Sequence, residues 1–160
     1  MEFNFEYAHP VGPVRARVTA QGVAAIVLPA PGVKKDAGVS AVSSPIAKKL
    51  AKAFDNYFAG RRELFLDVPL DLDTGTPFQR RVWLAAREIP WGSTTTYGDL
   101  ARAVECRSAR AVGQALGANP VPIIVPCHRI LAAGGRLGGF SCGLDWKRRL
   151  LRLEKIDVRG

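Results

Sequence analysis

Cys127, His128 and Arg129 occupy consecutive positions, placing a thiol, an imidazole and a guanidinium side by side. A thiolate is the strongest nucleophile among the side chains, and neighbouring cations or hydrogen-bond donors can lower a thiol pKa from ~8.5 toward neutrality. Ile123-Ile124-Val125 just upstream is an apolar, β-branched run that predicts a buried strand. Pro120, Pro122 and Pro126 bracket the run. They fix φ and remove backbone donors, so the segment is expected to be rigid. A cysteine at the tip of a stiff strand is placed to attack a group brought to it.

Most cysteines are small buried hydrophobes, so several uses of this triplet compete. A cysteine protease or acyltransferase would pair Cys127 with His128 as base. Adjacent residues on extended backbone point to opposite faces, which makes that pairing awkward. His9, the other histidine, lies beside a turn and reads as structural. A metal site from Cys127, His128 and Cys142 lacks ligand spacing of a known kind. A non-enzymatic helix-turn-helix regulator would explain the charge but leaves Pro126-Cys127-His128-Arg129 without a task.

The chain has 160 residues, enough for one domain or two small ones, and its 48% hydrophobic content supports a real core. The three cysteines show no C-x-x-C, which argues against a zinc ribbon or a disulfide framework and for a reducing compartment. No apolar run has transmembrane length, and residues 1–6 lack the features of a signal peptide. A cytoplasmic location is expected. The net charge of +9 favours a polyanionic partner through counterion release.

Strands are predicted over residues 3–7, 14–19 and 23–28, then a mobile surface loop over 29–44 bearing Lys34 and Lys35. Ser44-Pro45 opens a helix whose Ile46, Leu50, Phe54 and Tyr57/Phe58 recur at helical spacing until Gly60. Residues 64–68 could return as a strand. The expected division is an N-terminal domain over 1–70, a linker over 71–75 and a C-terminal domain over 76–160. Thr76 and Gln79 form a capping-box pattern ahead of a helix with Phe78, Val82, Ala85 and Ala86 on its apolar side. Thr96 to Asp99 caps a helix through Leu100, Ala101 and Val104, and Ser108 caps a second one closed by Gly117. Two short helices around Glu105-Cys106-Arg107 describe a helix-turn-helix, although an αα-hairpin in a core would look similar. Small residues on the second helix suit close approach to DNA, and Arg110 is its one long cation. Residues 131–140 form a glycine-rich loop without a phosphate-binding pattern, read as a wall near the cysteine. The last helix is expected to be capped at Leu144-Asp145, with Trp146, Leu150, Leu153 and Ile156 inward.

Asn119-Pro120, the apolar run and Pro126-Cys127-His128-Arg129 together resemble the active-site segment of the alkylguanine-DNA alkyltransferases (methylated-DNA–protein-cysteine methyltransferases). Phe78-Gln79, Val82-Trp83 and Ile89-Pro90-Trp91-Gly92 add to the likeness, which is strong over residues 76–156. Over the first seventy it rests on element order and the Pro10-Val11-Gly12-Pro13 turn. The resemblance implies an α/β N-terminal domain of ribonuclease H-like fold and a mainly α-helical C-terminal domain with a winged-helix-like helix-turn-helix. It implies single-turnover repair: O6-alkylguanine is flipped from the duplex and its alkyl group moves to Cys127. O4-alkylthymine is a further candidate lesion, and a non-enzymatic DNA-binding protein that flags lesions or regulates transcription is the alternative.

By the same resemblance, His128 acts as base through a water, Glu154 orients it and Tyr97 donates a proton to the departing base. Asn119, Arg129, Ser141 and Lys147 are the implied substrate-pocket residues. Arg110 is the implied finger filling the vacated stack, with Thr95, Tyr97, Ser108 and Ala109 at the DNA. No cofactor and no metal are implied. The expected partner is double-stranded DNA bound by a monomer, with cooperative clustering left open. Phe140-Ser141-Cys142-Gly143 departs from the family's usual glycine pair, which puts tolerance of bulky alkyl groups in question.

Overall fold

The computed structural model describes residues 3–30 and 44–158. Most of the expected 29–44 loop therefore lies outside the described residues. The chain divides into two compact units, Met1–Leu72 and Asp73–Gly160.

The first unit is built on an antiparallel sheet in the order β1 (Phe5–His9), β2 (Gly12–Val18), β3 (Val23–Val27). The first strand lies two residues later than expected, because a tight turn pairs His9 with Gly12 and sets the register back to Phe5 opposite Ala16. Alternation on β2 buries Val14, Ala16 and Val18. Helix α1 (Pro45–Phe58) starts where Ser44 accepts a hydrogen bond from the Ala47 amide and Pro45 fills the first turn. Its inward stripe includes Leu50, Phe54 and Tyr57, and Phe54 lies 5.3 Å from the Tyr7 ring and 6.2 Å from that of Phe5. His9 meets the Phe58 ring edge-on, and its Nδ1 accepts from the Val11 amide.

The strand expected over 64–68 does not form. Phe65 takes a left-handed φ of 54°, which turns the chain and buries Phe65 and Val68 while Leu64 and Leu66 face out. The chain reaches the sheet just beyond, where Leu70 bridges Val23 in parallel through the Pro69 carbonyl and the Asp71 amide.

The second unit begins with α2 (Pro77–Arg87), and its capping box is complete: Gln79 N donates to Thr76 Oγ1, and Thr76 N donates to Gln79 Oε1. Helices α3 (Tyr97–Ala103) and α4 (Ala109–Gly117) are capped by Thr96 and Ser108. Between them Glu105 takes φ 56°, while its amide and that of Cys106 return to Arg102 and Ala101. This is a Schellman turn with glutamate at the position glycine usually holds. Trp83 locks α2 to α4: its buried indole N–H donates to the Ala115 carbonyl at 2.7 Å. Gly75 allows the ring to sit there, since a Cβ at that position would come 2.4 Å from it.

Ile123-Ile124-Val125 is buried as expected but is not a strand. Ile123 has φ 77°, and the Val125 amide turns back to the Val121 carbonyl. Prolines on both sides remove the donors a ladder would need. The neighbouring strands β4 (Thr95–Thr96) and β5 (Ile130–Leu131) pair in parallel over two residues each. Helix α5 (Leu144–Leu153) is capped by Gly143 at φ 96°, not by Leu144 or Asp145. Asp145 lies in its first turn, where a carboxylate favours the positive end of the helix dipole. No described helix is long and apolar enough to cross a membrane.

Trp83→Phe removes both the indole donor and part of the ring volume. It is expected to destabilise the second unit by about 2–3 kcal/mol, read as a lower urea midpoint at unchanged slope.

Candidate active site

Cys127 opens a short 3-10 helix, Cys127–Arg129, immediately after Pro126. Three residues per turn send consecutive side chains in three directions, so neighbours in sequence can serve three places. The Cys127 side chain is 95% buried and faces a cleft of about 180 Å³ lined by Tyr97, Gly113, Leu116, Gly139, Phe140 and Ser141. At ~30 Å³ per water this space equals roughly six waters.

Asn119 holds the segment that strand pairing would otherwise hold. Its Oδ1 accepts from the Val121 amide at 3.0 Å, and its Nδ2 donates to the Val125 carbonyl at 3.0 Å and to Cys127 Sγ at 3.2 Å. Burial outweighs the neighbours that can lower the thiol pKa. Burial pushes the Cys127 pKa up to about 12, although the Asn119 hydrogen bond and the Lys147 charge pull the other way. A thiol in this state needs a base at the moment of reaction.

His128 does not line that cleft; it packs edge-on against the cleft residue Phe140 and reaches Glu154 at the C-terminal end of α5. Its Nε2 lies 2.5 Å from Glu154 Oε2, and both residues are almost completely buried. Burial lowers the histidine pKa; Glu154 pulls it up, while Arg129 and Lys147 add to the lowering. Glu154 meets a burial penalty too, but hydrogen bonds and charge from His128 and Arg129 outweigh it and hold the carboxyl at about 2. A neutral imidazole facing a carboxylate carries its proton on Nε2, which assigns the basic lone pair to Nδ1. The other carboxylate oxygen accepts from Arg129 Nε at 2.7 Å and from the Gly92 amide at 3.3 Å. Arg129 also donates from Nη1 to the Ile89 carbonyl. Its guanidinium therefore braces the site and does not line the cleft.

Lys147 is buried behind the glycine-rich wall. Its Nζ donates to the carbonyls of Ile130 at 2.7 Å and Gly139 at 2.9 Å, tying β5 to the wall. Burial lowers its pKa to about 8. Tyr97 lies between Gly113 and Gly138, where a Cβ on Gly138 would come 3.3 Å from the ring, and its hydroxyl donates to the Gly139 carbonyl. Burial raises the phenol pKa and Cys127 adds to the rise, so Tyr97 holds its proton.

Cys127, Asn119, Tyr97 and Ser141 thus gather at the cleft, with Lys147, His128, Arg129 and Glu154 behind it. Ser108, Ala109 and Arg110 lie apart from it, exposed at the start of α4, and the Ser108 hydroxyl is used as the helix cap. Thr95 is half-buried in β4. Sequence reasoning missed Gly92, Gly113 and Gly138, whose contribution is backbone or the absence of a side chain. The Pro-x-Gly turn and the glycine-rich run were the available signals. Among the described residues no group of three or more His, Cys, Asp or Glu could hold a metal ion.

Residues 77–156 match the family described as 6-O-methylguanine DNA methyltransferase, DNA binding domain, and the chain belongs to that family. The methylated-DNA–protein-cysteine methyltransferase of Haemophilus influenzae is 50% identical over 113 residues, which cover 70% of this chain and 63% of that one. The Metallosphaera sedula protein of the same name is 49% identical, over 66% of this chain and 65% of its own. These matches thus span less than two thirds of both relatives. A crystal structure of Mycobacterium tuberculosis OGT in complex with DNA superposes with a TM-score of 0.77 at 37% identity, covering 94% of this chain and 91% of that one. A mixed α/β architecture is shared with it.

Acid is expected to weaken the fold in two stages. A histidine kept neutral costs nothing above its ordinary value of 6.5 and lowers stability progressively below it. The Glu154 contribution is complete above 4.5 and is lost as the pH falls toward about 2. Glu154→Gln should cost about 3–5 kcal/mol at neutral pH, because Arg129 is left as a buried charge without its carboxylate. It should also erase the second acid stage. Urea midpoints of both proteins across pH check this, and parallel pH profiles would contradict it.

Proposed function

We propose that this protein repairs DNA by transferring the alkyl group of O6-alkylguanine to Cys127 in a single, irreversible turnover. The observation that carries this reading is the thiol itself: Cys127 faces a base-sized cleft between Tyr97 and a glycine-rich wall, with Asn119 Nδ2 on its sulfur. In the reaction the S–C bond forms as the O6–C bond breaks, and the electron pair of that bond leaves with guanine. The thiol proton passes through a water to His128 Nδ1, and Tyr97 supplies a proton to the departing base. Glu154 keeps Nε2–H directed and stabilises the imidazolium that forms. Ser141 lines the cleft beside the lesion oxygen, and Lys147 holds the wall and favours the developing thiolate.

The partner is double-stranded DNA carrying alkylated guanine, with O4-alkylthymine a second candidate lesion, and the protein works as a cytoplasmic monomer without a cofactor. Helices α3 and α4 act as a winged-helix-like helix-turn-helix, with Ser108, Ala109 and Thr95 near the backbone. The sheet and α1 form a ribonuclease H-like domain, joined by residues 71–75 to the domain that binds DNA. The alternative, a protein that only flags lesions or regulates transcription, leaves the buried thiol and its relay without a task.

Incubation with an oligonucleotide containing O6-methylguanine should add one methyl mass, mapped to the Cys127 peptide. Cys127→Ser should gain no mass yet bind DNA, because phosphate contacts supply most of the affinity. Tight binding without any mass gain in the unaltered protein would favour the lesion-flagging reading.

Arg110 is exposed on α4, and we assign it to the gap left by the flipped nucleotide. Flipping costs a few kcal/mol of stacking and pairing, and an inserted side chain offsets part of it. Arg110→Ala should therefore slow single-turnover repair of duplex DNA at saturation much more than reaction with free benzylguanine. Equal slowing on both would make it a residue that supports the pocket, and an unchanged duplex rate would make it only a phosphate contact.

A further inference from the structure

A second concavity lies in the Asp73–Gly160 unit and shares no lining residue with the cleft at Cys127. It is a groove of about 310 Å³. Its floor is apolar: Leu137 and Leu151 are buried in one cluster with Leu131, and Ile156 and Val158 pack against that cluster while remaining partly exposed. Its rim carries Arg148, Arg152 and Lys155, opposed by the single carboxylate of Asp157. Arg148 is ion-paired with Asp145 at 3.9 Å, on the same helix.

The end of α5 builds this rim. The Lys155 amide donates to the Arg152 carbonyl and the Ile156 amide to the Leu151 carbonyl, the two bonds of a Schellman turn. Lys155 sits at φ 60°, where glycine is usual, and the turn sets Ile156 back toward Leu151. Glu105 does the same at the end of α3, so the backbone conformation alone means nothing. Cations near a helix C-terminus also favour the dipole, which accounts for Arg152 and Lys155 individually. Neither point explains why the same turn borders an open apolar floor.

We propose that this groove docks a peptide segment of a partner protein, one that carries carboxylates flanking an aliphatic or aromatic anchor. Charge complementarity selects acidic residues for the rim, and the floor selects an apolar side chain between them. DNA is the less fitting occupant. Its phosphates would satisfy the cations but would leave Leu137, Ile156 and Val158 facing a polar backbone.

The test uses the whole chain without DNA and a short dye-labelled peptide of alternating aspartate and leucine. Two controls replace all aspartates by asparagine or all leucines by serine. The aspartate–leucine peptide should shift the amide signals of Leu137, Leu151, Ile156 and Val158 and leave those of Tyr97 and Cys127 in place. Both controls should bind far more weakly. Lys155→Gly should raise the melting temperature, because the left-handed strain is relieved, and still weaken the peptide by about two- to fivefold. Combining Arg152→Glu with Lys155→Glu should abolish binding while the amide spectrum stays that of a folded protein. The idea fails if peptide affinity is unchanged in these variants, or if the shifts map elsewhere. It also fails if a duplex oligonucleotide moves the floor signals and the peptide does not.

Discussion

One buried carboxylate closes the site. Glu154 ends α5 and accepts from His128, Arg129 and the Gly92 amide, so a single side chain joins the last helix, the Cys127–Arg129 turn and the loop after α2. A carboxylate taken out of water is costly unless every lone pair it presents finds a donor. Here the donors include a guanidinium, which keeps the group ionised, and an ionised Glu154 in turn fixes the histidine tautomer. This buried cluster is therefore a property of the fold around α5, and not of any one residue in it.

The second constraint is the lack of a strand where a strand was expected. Residues 121–126 are buried yet have no ladder, so their polar backbone groups need other partners. Asn119 supplies two of them and uses its remaining N–H on the sulfur. Position of the backbone and polarity at the thiol are thus set by the same amide. Across the cleft, Lys147 has the parallel role for the wall, donating to Ile130 and Gly139. The cleft is narrow because each side is tied down by a side chain that is itself buried.

Local chemistry was legible in the sequence wherever a cap or a stripe announced it. Ser44, Thr76, Thr96 and Ser108 each start the helix they were expected to start, because an oxygen accepting from an amide two or three positions on is a purely local device. Gly143 escaped notice as a cap since it has no side chain to announce itself. The runs at 64–68 and 123–125 misled for a shared reason. β-Branched and aromatic content signals burial, but Phe65 and Ile123 are buried through left-handed turns, and only tertiary packing decides that. Motif-level reading brought together residues from Tyr97 to Glu154 without any geometry. It missed the glycines at which the site depends on missing atoms, and it did not reach the thiol's resting state, which depends on burial that no motif encodes.

That resting state fits the single-use acceptor proposed for Cys127. A thiolate open to solvent at neutral pH would react with any electrophile in reach, and one such event would end the protein's usefulness. With its pKa pushed to about 12, Cys127 stays protonated until a base is positioned to take the proton. His128 is kept neutral by the same burial, so it can accept a proton without first losing one. Tyr97 retains its own proton and can give it up to a leaving group. On the proposed reading, the entry of an alkylated base completes the set: it brings the electrophilic carbon to the sulfur and the leaving oxygen into the cleft with the phenol. Nucleophilicity is then created only in the presence of the lesion. On that reading, low reactivity at rest follows from burial of the thiol, and transfer follows from the base and leaving group that the lesion brings into register.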